Sequence, residues 1–214
     1  VALLHDIRTA RNVLRGILRS RRTRAQVARR EPGQKRPAPG TIKIAVYFAD
    51  AKVNLYQIRQ WYAPLAEINE TWPVAIISRS PSAVLELWNE SPVPALYLRR
   101  VTDLEEFVHT QDARIVFYVN QNAKNFQMFR YGRMWHVFIN HGESDKMYMT
   151  TNQFKAYDFS FVAGDAAIDR LSHKLWDFDL ATRAIAIGRP QADHFAGELP
   201  YTADERTVVL YAPT

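Results

Sequence analysis

Cysteine is absent from the 214 residues, which removes disulfides and thiolate metal sites and fits a reducing cytoplasm. Long apolar runs are missing too. None approaches the roughly 18–20 residues that a membrane-spanning helix requires, and the first stretch lacks the apolar core and small residues of a signal peptide. Glycine is sparse at eight residues. Neither GxGxxG nor GxxxxGK[ST] occurs, so a dinucleotide or P-loop site is disfavoured. GxSxG, HExxH and a paired catalytic carboxylate motif are also missing. What remains is 47% hydrophobic and 12% aromatic, enough for a packed core and against wholesale disorder.

The net charge of +6 is unevenly placed. Residues 1–36 hold eleven Arg and Lys against Asp6 and Glu31, whereas the remaining 178 hold 17 basic and 20 acidic residues. The body is therefore mildly acidic, and a nucleic-acid-binding body would more often carry the basic patch itself. Within the tail, Val1, Leu3, Leu4, Ile7, Val13, Leu14, Ile17 and Leu18 recur at helical spacing with arginines between them. This predicts an amphipathic helix ending near Ser20, suited to an anionic membrane surface, to packing on the body, or to RNA. Glu31 to Gly40, rich in Pro and Gly, reads as a linker, which makes residues 1–40 a separable tail.

From Thr41 the pattern changes. Strands are expected at 42–48, 74–78, 94–98, 114–119 and 134–139, with further ones at 159–163 and 183–187. Helices are expected at about 54–69, after Ser80-Pro81, from an Asp103 cap to His109, and at 122–129. Alternation of this kind predicts an α/β domain over residues 41–195, a Rossmann-like, mostly parallel sheet covered on both faces. Ligands of such sheets bind beyond the carboxyl ends of the strands. Those ends are Ala49-Asp50, Asn120-Gln121-Asn122 and Asn140-His141-Gly142.

The third is the densest in polar chemistry. An imidazole past a strand end can serve as a general base near neutral pH. Gly142 permits a tight turn and a close approach to main-chain N–H groups. Glu143 or Asp145 could orient the ring, and Lys146 could meet a phosphate as a point charge. A hydrogen-bonded loop histidine among solvated charges fits the same residues. His136 and His141 lie five apart across a strand end, and metal ligation needs a third ligand the sequence does not reveal, so no metal or cofactor is expected.

Phe138-Ile139-Asn140-His141-Gly142-Glu143-Ser144-Asp145-Lys146, followed by Lys155-Ala156-Tyr157-Asp158-Phe159 to Gly164, resembles the CDP-glycerol glycerophosphotransferases of teichoic-acid type. Gly188-Arg189-Pro190-Gln191-Ala192-Asp193 is similar to that family's Gly-x-Pro-Arg-x-Asp, and Val209-Leu210-Tyr211-Ala212-Pro213-Thr214, in a stretch that reads as a strand over 207–211, to the opening of its second domain. The resemblance covers about residues 134–214. It departs at Glu143-Ser144, where Thr-Pro is usual, and at Gln191, where Arg is usual.

The resemblance implies the first, acceptor-side domain of a GT-B-like two-domain transferase. Residues 196–214 would then be a linker and the first strand of a second domain that holds most of the CDP-activated donor. Family members are peripheral to the cytoplasmic face of the membrane and transfer glycerol phosphate to a lipid-linked or polymeric acceptor. His141 is implied as the base. Gly142, Glu143, Ser144, Asp145, Lys146 and Asn120 form the candidate acceptor and phosphate cradle. The competing expectation is a non-catalytic Rossmann-like assembly module whose basic arm docks on RNA or another anionic partner.

Overall fold

A computed structural model describes residues 2–143 and 147–193, together with Thr207, Val209 and Tyr211. Seven strands make one sheet: β1 (Ile44–Phe48), β2 (Val74–Ser78), β3 (Ala95–Tyr97), β4 (Ile115–Tyr118), β5 (Trp135–Phe138), β6 (Phe159–Val162) and β7 (Ala184–Ala186). Their order is β3-β2-β1-β4-β5-β6-β7, and all six pairings are parallel. The chain winds outward from β1 to β3, then crosses back to lay β4 on the other side of β1. This is the doubly wound, Rossmann-like order, with its switch point between β1 and β4.

The strands are apolar because both faces are covered. Every residue of β1 and β2 is buried. One face packs Val46, Phe48 and Ile76 against Leu55, Ile58, Trp61 and Leu65 from the segment that holds α2 (Tyr56–Arg59) and α3 (Tyr62–Thr71), and against Leu87 of α4 (Pro81–Glu90). The other packs Ala45, Tyr47 and Phe138 against Leu104 and Phe107 of α5 (Val101–Thr110), Phe154, Tyr157, and Leu171 of α6 (Asp165–Lys174). A last short helix, α7 (Leu180–Arg183), leads into β7.

Several expectations are corrected. The helix expected over 54–69 is two pieces, α2 and α3, separated at Gln60-Trp61. The helix expected at 122–129 is a single 3₁₀ stretch, Ala123–Gln127, whose start is capped by the Asn122 side chain on the Lys124 N–H. Asp103 is not the residue before α5. It sits inside the first turn and reaches back to the Arg100 N–H at 2.7 Å. Of the opening strand expected at 207–211, Thr207, Val209 and Tyr211 are described and none is in a strand, while 208 and 210 lie outside the described residues.

The tail is longer and better anchored than expected: α1 runs over Ala2–Arg30. Val27 is buried, and Arg30 reaches Asn89 Oδ1 at 2.8 Å while its guanidinium lies 5.7 Å from the Trp88 ring centroid. Further out, Val13, Leu14, Ile17 and Leu18 share one face and are exposed. Arg11, Arg15, Arg19 and Arg22 run beside them, also exposed. No helix among the described residues is long and apolar enough to cross a membrane.

Behind the switch point lies a buried polar pair. His136 on β5 is 6% exposed. Its Nε2–H donates to the Tyr131 carbonyl at 3.1 Å, so Nδ1 must accept from the Tyr118 hydroxyl at 2.7 Å. Burial holds the imidazole below its ordinary pKa and pushes the Tyr118 phenol up. Protonation would put a second N–H against a hydroxyl already committed as donor. Because the folded pKa lies below the unfolded one, the unfolded state takes up the proton first as pH falls. Stability present above about pH 6.5 is therefore lost on going lower. Thermal melts between pH 7.5 and 5 should show that decline, and His136→Gln should flatten it. An unchanged slope in the variant would place the titrating group elsewhere.

Candidate functional site

Parallel strands bring their carboxyl ends to one edge, and there three separate sequence segments meet. The β5 ladder closes with the Ile139 N–H on the Tyr118 carbonyl at 2.9 Å. The next carbonyl along β4, that of Val119, receives a side chain instead: His141 Nδ1 lies 2.8 Å from it. A carbonyl only accepts, so Nδ1 carries the hydrogen and, in the neutral ring, Nε2 carries the lone pair. The tautomer is set by the backbone of the neighbouring strand.

The turn that makes this possible is built by Asn140. Its φ of 59° is left-handed, a conformation that asparagine tolerates better than most residues. Its Oδ1 accepts from the His141 N–H at 2.8 Å and leans on the Gly142 N–H at 3.4 Å. Its own carbonyl takes the Trp61 indole N–H. Tyr56 of α2 stands edge-on to the imidazole, with ring centroids 5.9 Å apart.

Asn120 lies at the end of β4 and is 7% exposed. Its amide donates to Asp50 Oδ2 at 3.1 Å and to Gln57 Oε1 at 2.6 Å, spanning the β1–β4 switch point. Its carbonyl accepts from Asn125 Nδ2 at 2.7 Å. Both amide hydrogens of Asn120 are thus already used within the protein, which leaves none to donate to a phosphate. Asn120 ties the ends of β1 and β4 together.

Glu143 is also reassigned. Its Oε1 accepts from the Ala163 N–H at 2.6 Å and its Oε2 faces Arg170 at 3.0 Å, each side chain about 19% exposed. The carboxylate fastens the turn after β5 to β6 and α6, and its charge is spent on Arg170 rather than on the imidazole or a ligand. Gly142 lies in a crevice bounded by Trp61, Phe161 and Arg189. Ser144, Asp145 and Lys146, the rest of the expected cradle, lie outside the described residues.

His136 and His141 are separated by function. The first faces the core through both nitrogens, so the pair is not a metal site. No group of three or more metal-ligating side chains occurs among the described residues. Residues that the sequence reading assigned no role complete the site: Gln57, Tyr56, Trp61 and Arg189. The rule that sends attention past strand ends could have found the first three, since they open the connection after β1.

No protein family's sequence profile matches this chain, and no curated protein does either. Among solved structures it is similar to a provisional UDP-N-acetylglucosamine 2-epimerase from Listeria monocytogenes. The TM-score is 0.49 at 14% identity, covering 72% of this chain and 46% of that one. The Rossmann-like assignment rests on this chain's own strand order.

Asn120→Asp tests the tie across the switch point. It sets a second carboxylate against Asp50, about 3 Å away by the hydrogen bond it replaces, and like charges so close raise one pKa. The folded pKa then exceeds the unfolded one, so stability relative to the parent should be recovered at low pH and lost as pH rises towards 7. Urea midpoints at pH 5 and pH 7.5 measure it. Equal deficits at both would mean that the two carboxylates do not meet.

Proposed function

We propose that this chain is the acceptor-side part of a phosphotransferase that moves glycerol phosphate, or a related polyol phosphate, from a CDP-activated donor to an acceptor hydroxyl. The observation that carries the reading is the tautomer of His141. With Nδ1–H held by the Val119 carbonyl, Nε2 is the basic nitrogen, at the edge of a doubly wound sheet where substrates of such folds lie. The motif around it, and the ordered matches that follow, supply the substrate class.

In the proposed step an acceptor hydroxyl oxygen attacks the phosphorus that bears the glycerol. The bond from that phosphorus to the bridging oxygen breaks, CMP leaves, and the acceptor proton passes to His141 Nε2. The new bond is a phosphodiester. Trp61 and Asn140 fix the turn on which the base stands, and Asn120 and Glu143 hold the strand ends to either side.

A GT-B-like arrangement, in which a second domain holds the donor, belongs to the same proposal. So does attachment to the cytoplasmic face of a membrane. An apolar stripe at Val13, Leu14, Ile17 and Leu18, flanked by exposed arginines, has the make-up of a helix that lies in a lipid interface. Each basic residue near an anionic surface adds about 1 kcal/mol. The alternative of an RNA-docking arm draws on the same arginines but leaves the apolar stripe without a use.

General-base catalysis contributes roughly 10²–10⁴-fold. In the whole enzyme, His141→Ala should lower turnover of CDP-glycerol by a factor in that range, read as CMP release. Turnover within a few-fold of the parent would remove His141 from the chemistry. In flotation assays the chain should rise with phosphatidylglycerol vesicles and not with phosphatidylcholine alone. Ile17→Asp with Leu18→Asp should abolish flotation. Preference for RNA over anionic vesicles at matched salt would favour the assembly-module reading instead.

A further inference from the structure

Beside the His141-Gly142 turn, the chain leaving β7 brings a second set of polar groups to the same edge of the sheet. The Ile187 N–H is the last to reach β6, bonding the Val162 carbonyl at 2.9 Å. Gly188 then turns the chain with a φ of 72°, a left-handed conformation that suits glycine. That turn aims Arg189 back at the β5 loop: its Nη2 lies 3.9 Å from where a Cβ on Gly142 would stand. Gln191 lines the same crevice.

The two other arginines in this quarter of the molecule are occupied. Arg183 donates to the carbonyls of Asp158, Lys155 and Tyr157, and Arg170 faces Glu143 at 3.0 Å. Arg189 is exposed, and among the described residues its guanidinium makes no ion pair and no hydrogen bond. Gln191 presents the complementary feature. Its Oε1 is shut off from solvent with no hydrogen-bond partner among the described residues, a state that favours turning the amide towards a donor in the crevice.

We propose that Arg189 and Gln191 form a subsite for a phosphate ester that also carries a hydroxyl group. The guanidinium takes two phosphate oxygens through paired N–H donors, and the glutamine carbonyl accepts the hydroxyl hydrogen. Gly142 carries no side chain to stand between Arg189 and the turn, where a Cβ would lie 3.9 Å from Nη2. The subsite deepens the phosphotransfer reading and rests on it, since it places the polyol-phosphate end of a substrate beside His141. It also gives Gln191 a positive use: an amide there selects the polyol, while the cation stands two residues earlier.

The test follows the Gly142 and Gly188 amides in ¹⁵N–¹H spectra of the 214-residue chain, titrated with inorganic phosphate, glycerol 3-phosphate and glycerol. Glycerol 3-phosphate should shift both amides and bind several-fold tighter than inorganic phosphate, with glycerol alone inert over the same range. Arg189→Gln should weaken both phosphate ligands about tenfold or more, the effect of losing a charge-assisted pair. Gln191→Leu should erase only the preference for glycerol 3-phosphate. The folding of each variant is read from the same spectra. Unchanged affinity in Arg189→Gln, or shifts confined to other amides, overturns the subsite. CDP-glycerol turnover that depends on His141 but not on Arg189 overturns the subsite alone. Arg189-dependent phosphate binding without CDP-polyol turnover in the whole enzyme overturns the reaction alone.

Discussion

The hydrogen bond from His141 Nδ1 to the Val119 carbonyl joins the sheet to the chemistry proposed for it. A parallel sheet leaves a row of acceptors at its carboxyl edge once the ladder ends, and each buried one needs a donor. Here the β4–β5 ladder supplies one more backbone N–H, from Ile139, and then a ring nitrogen takes over. The imidazole thereby does the work of a ladder residue, and the bond to the Val119 carbonyl helps set its orientation. Everything nearby preserves that register. Asn140 bends the chain through a left-handed residue, Trp61 holds the bent carbonyl, and Glu143 fixes the far side of the turn to β6.

Underneath this edge the sheet is braced by polar groups rather than by aliphatic packing alone. Asn125 is fully buried and its amide spans the Asn120 carbonyl and the Tyr157 hydroxyl, at 2.7 and 3.1 Å. Tyr157 also stacks on Phe138, with ring centroids 5.0 Å apart. Buried networks of this kind are costly when incomplete and rigid when satisfied. This one is half satisfied: Asn125 Nδ2 ties the end of β4 to Tyr157, while its Oδ1 is buried with no hydrogen-bond partner among the described residues.

Much of this was legible in the amino-acid order. The seven strands stand out because both sheet faces are covered, so apolar runs such as Ile44-Ala45-Val46-Tyr47-Phe48 are nearly unbroken. The rule that ligands gather past strand ends picked Asp50, Asn120 and His141, and the parallel order brings exactly those segments side by side. What stayed hidden was the use of each side chain. Asn120 and Glu143 look like ligand contacts in one dimension, yet their partners, Asp50, Gln57, Ala163 and Arg170, lie 20 to 70 positions away. Helical periodicity likewise gave no warning of the break at Gln60-Trp61, where the Trp61 indole reaches across to the Asn140 carbonyl.

The distribution of charge bears on how an anionic substrate would be held. The positive excess lies in the tail, and the body carries 17 basic against 20 acidic residues. A helix of 29 residues is about 43 Å long, whereas exposed charges are largely screened beyond about 8–10 Å at physiological salt. Arginines farther than that from the crevice at the β5 and β7 ends add little to holding a phosphate there. Recognition there has to be local, from a guanidinium within hydrogen-bond reach of the bound group. Among the described arginines near that crevice, Arg189 is the one whose donors are not already spent on the protein's own backbone or carboxylates. In the proposed reading the tail and the crevice therefore answer to different partners, an extended anionic surface for one and a single phosphate group for the other.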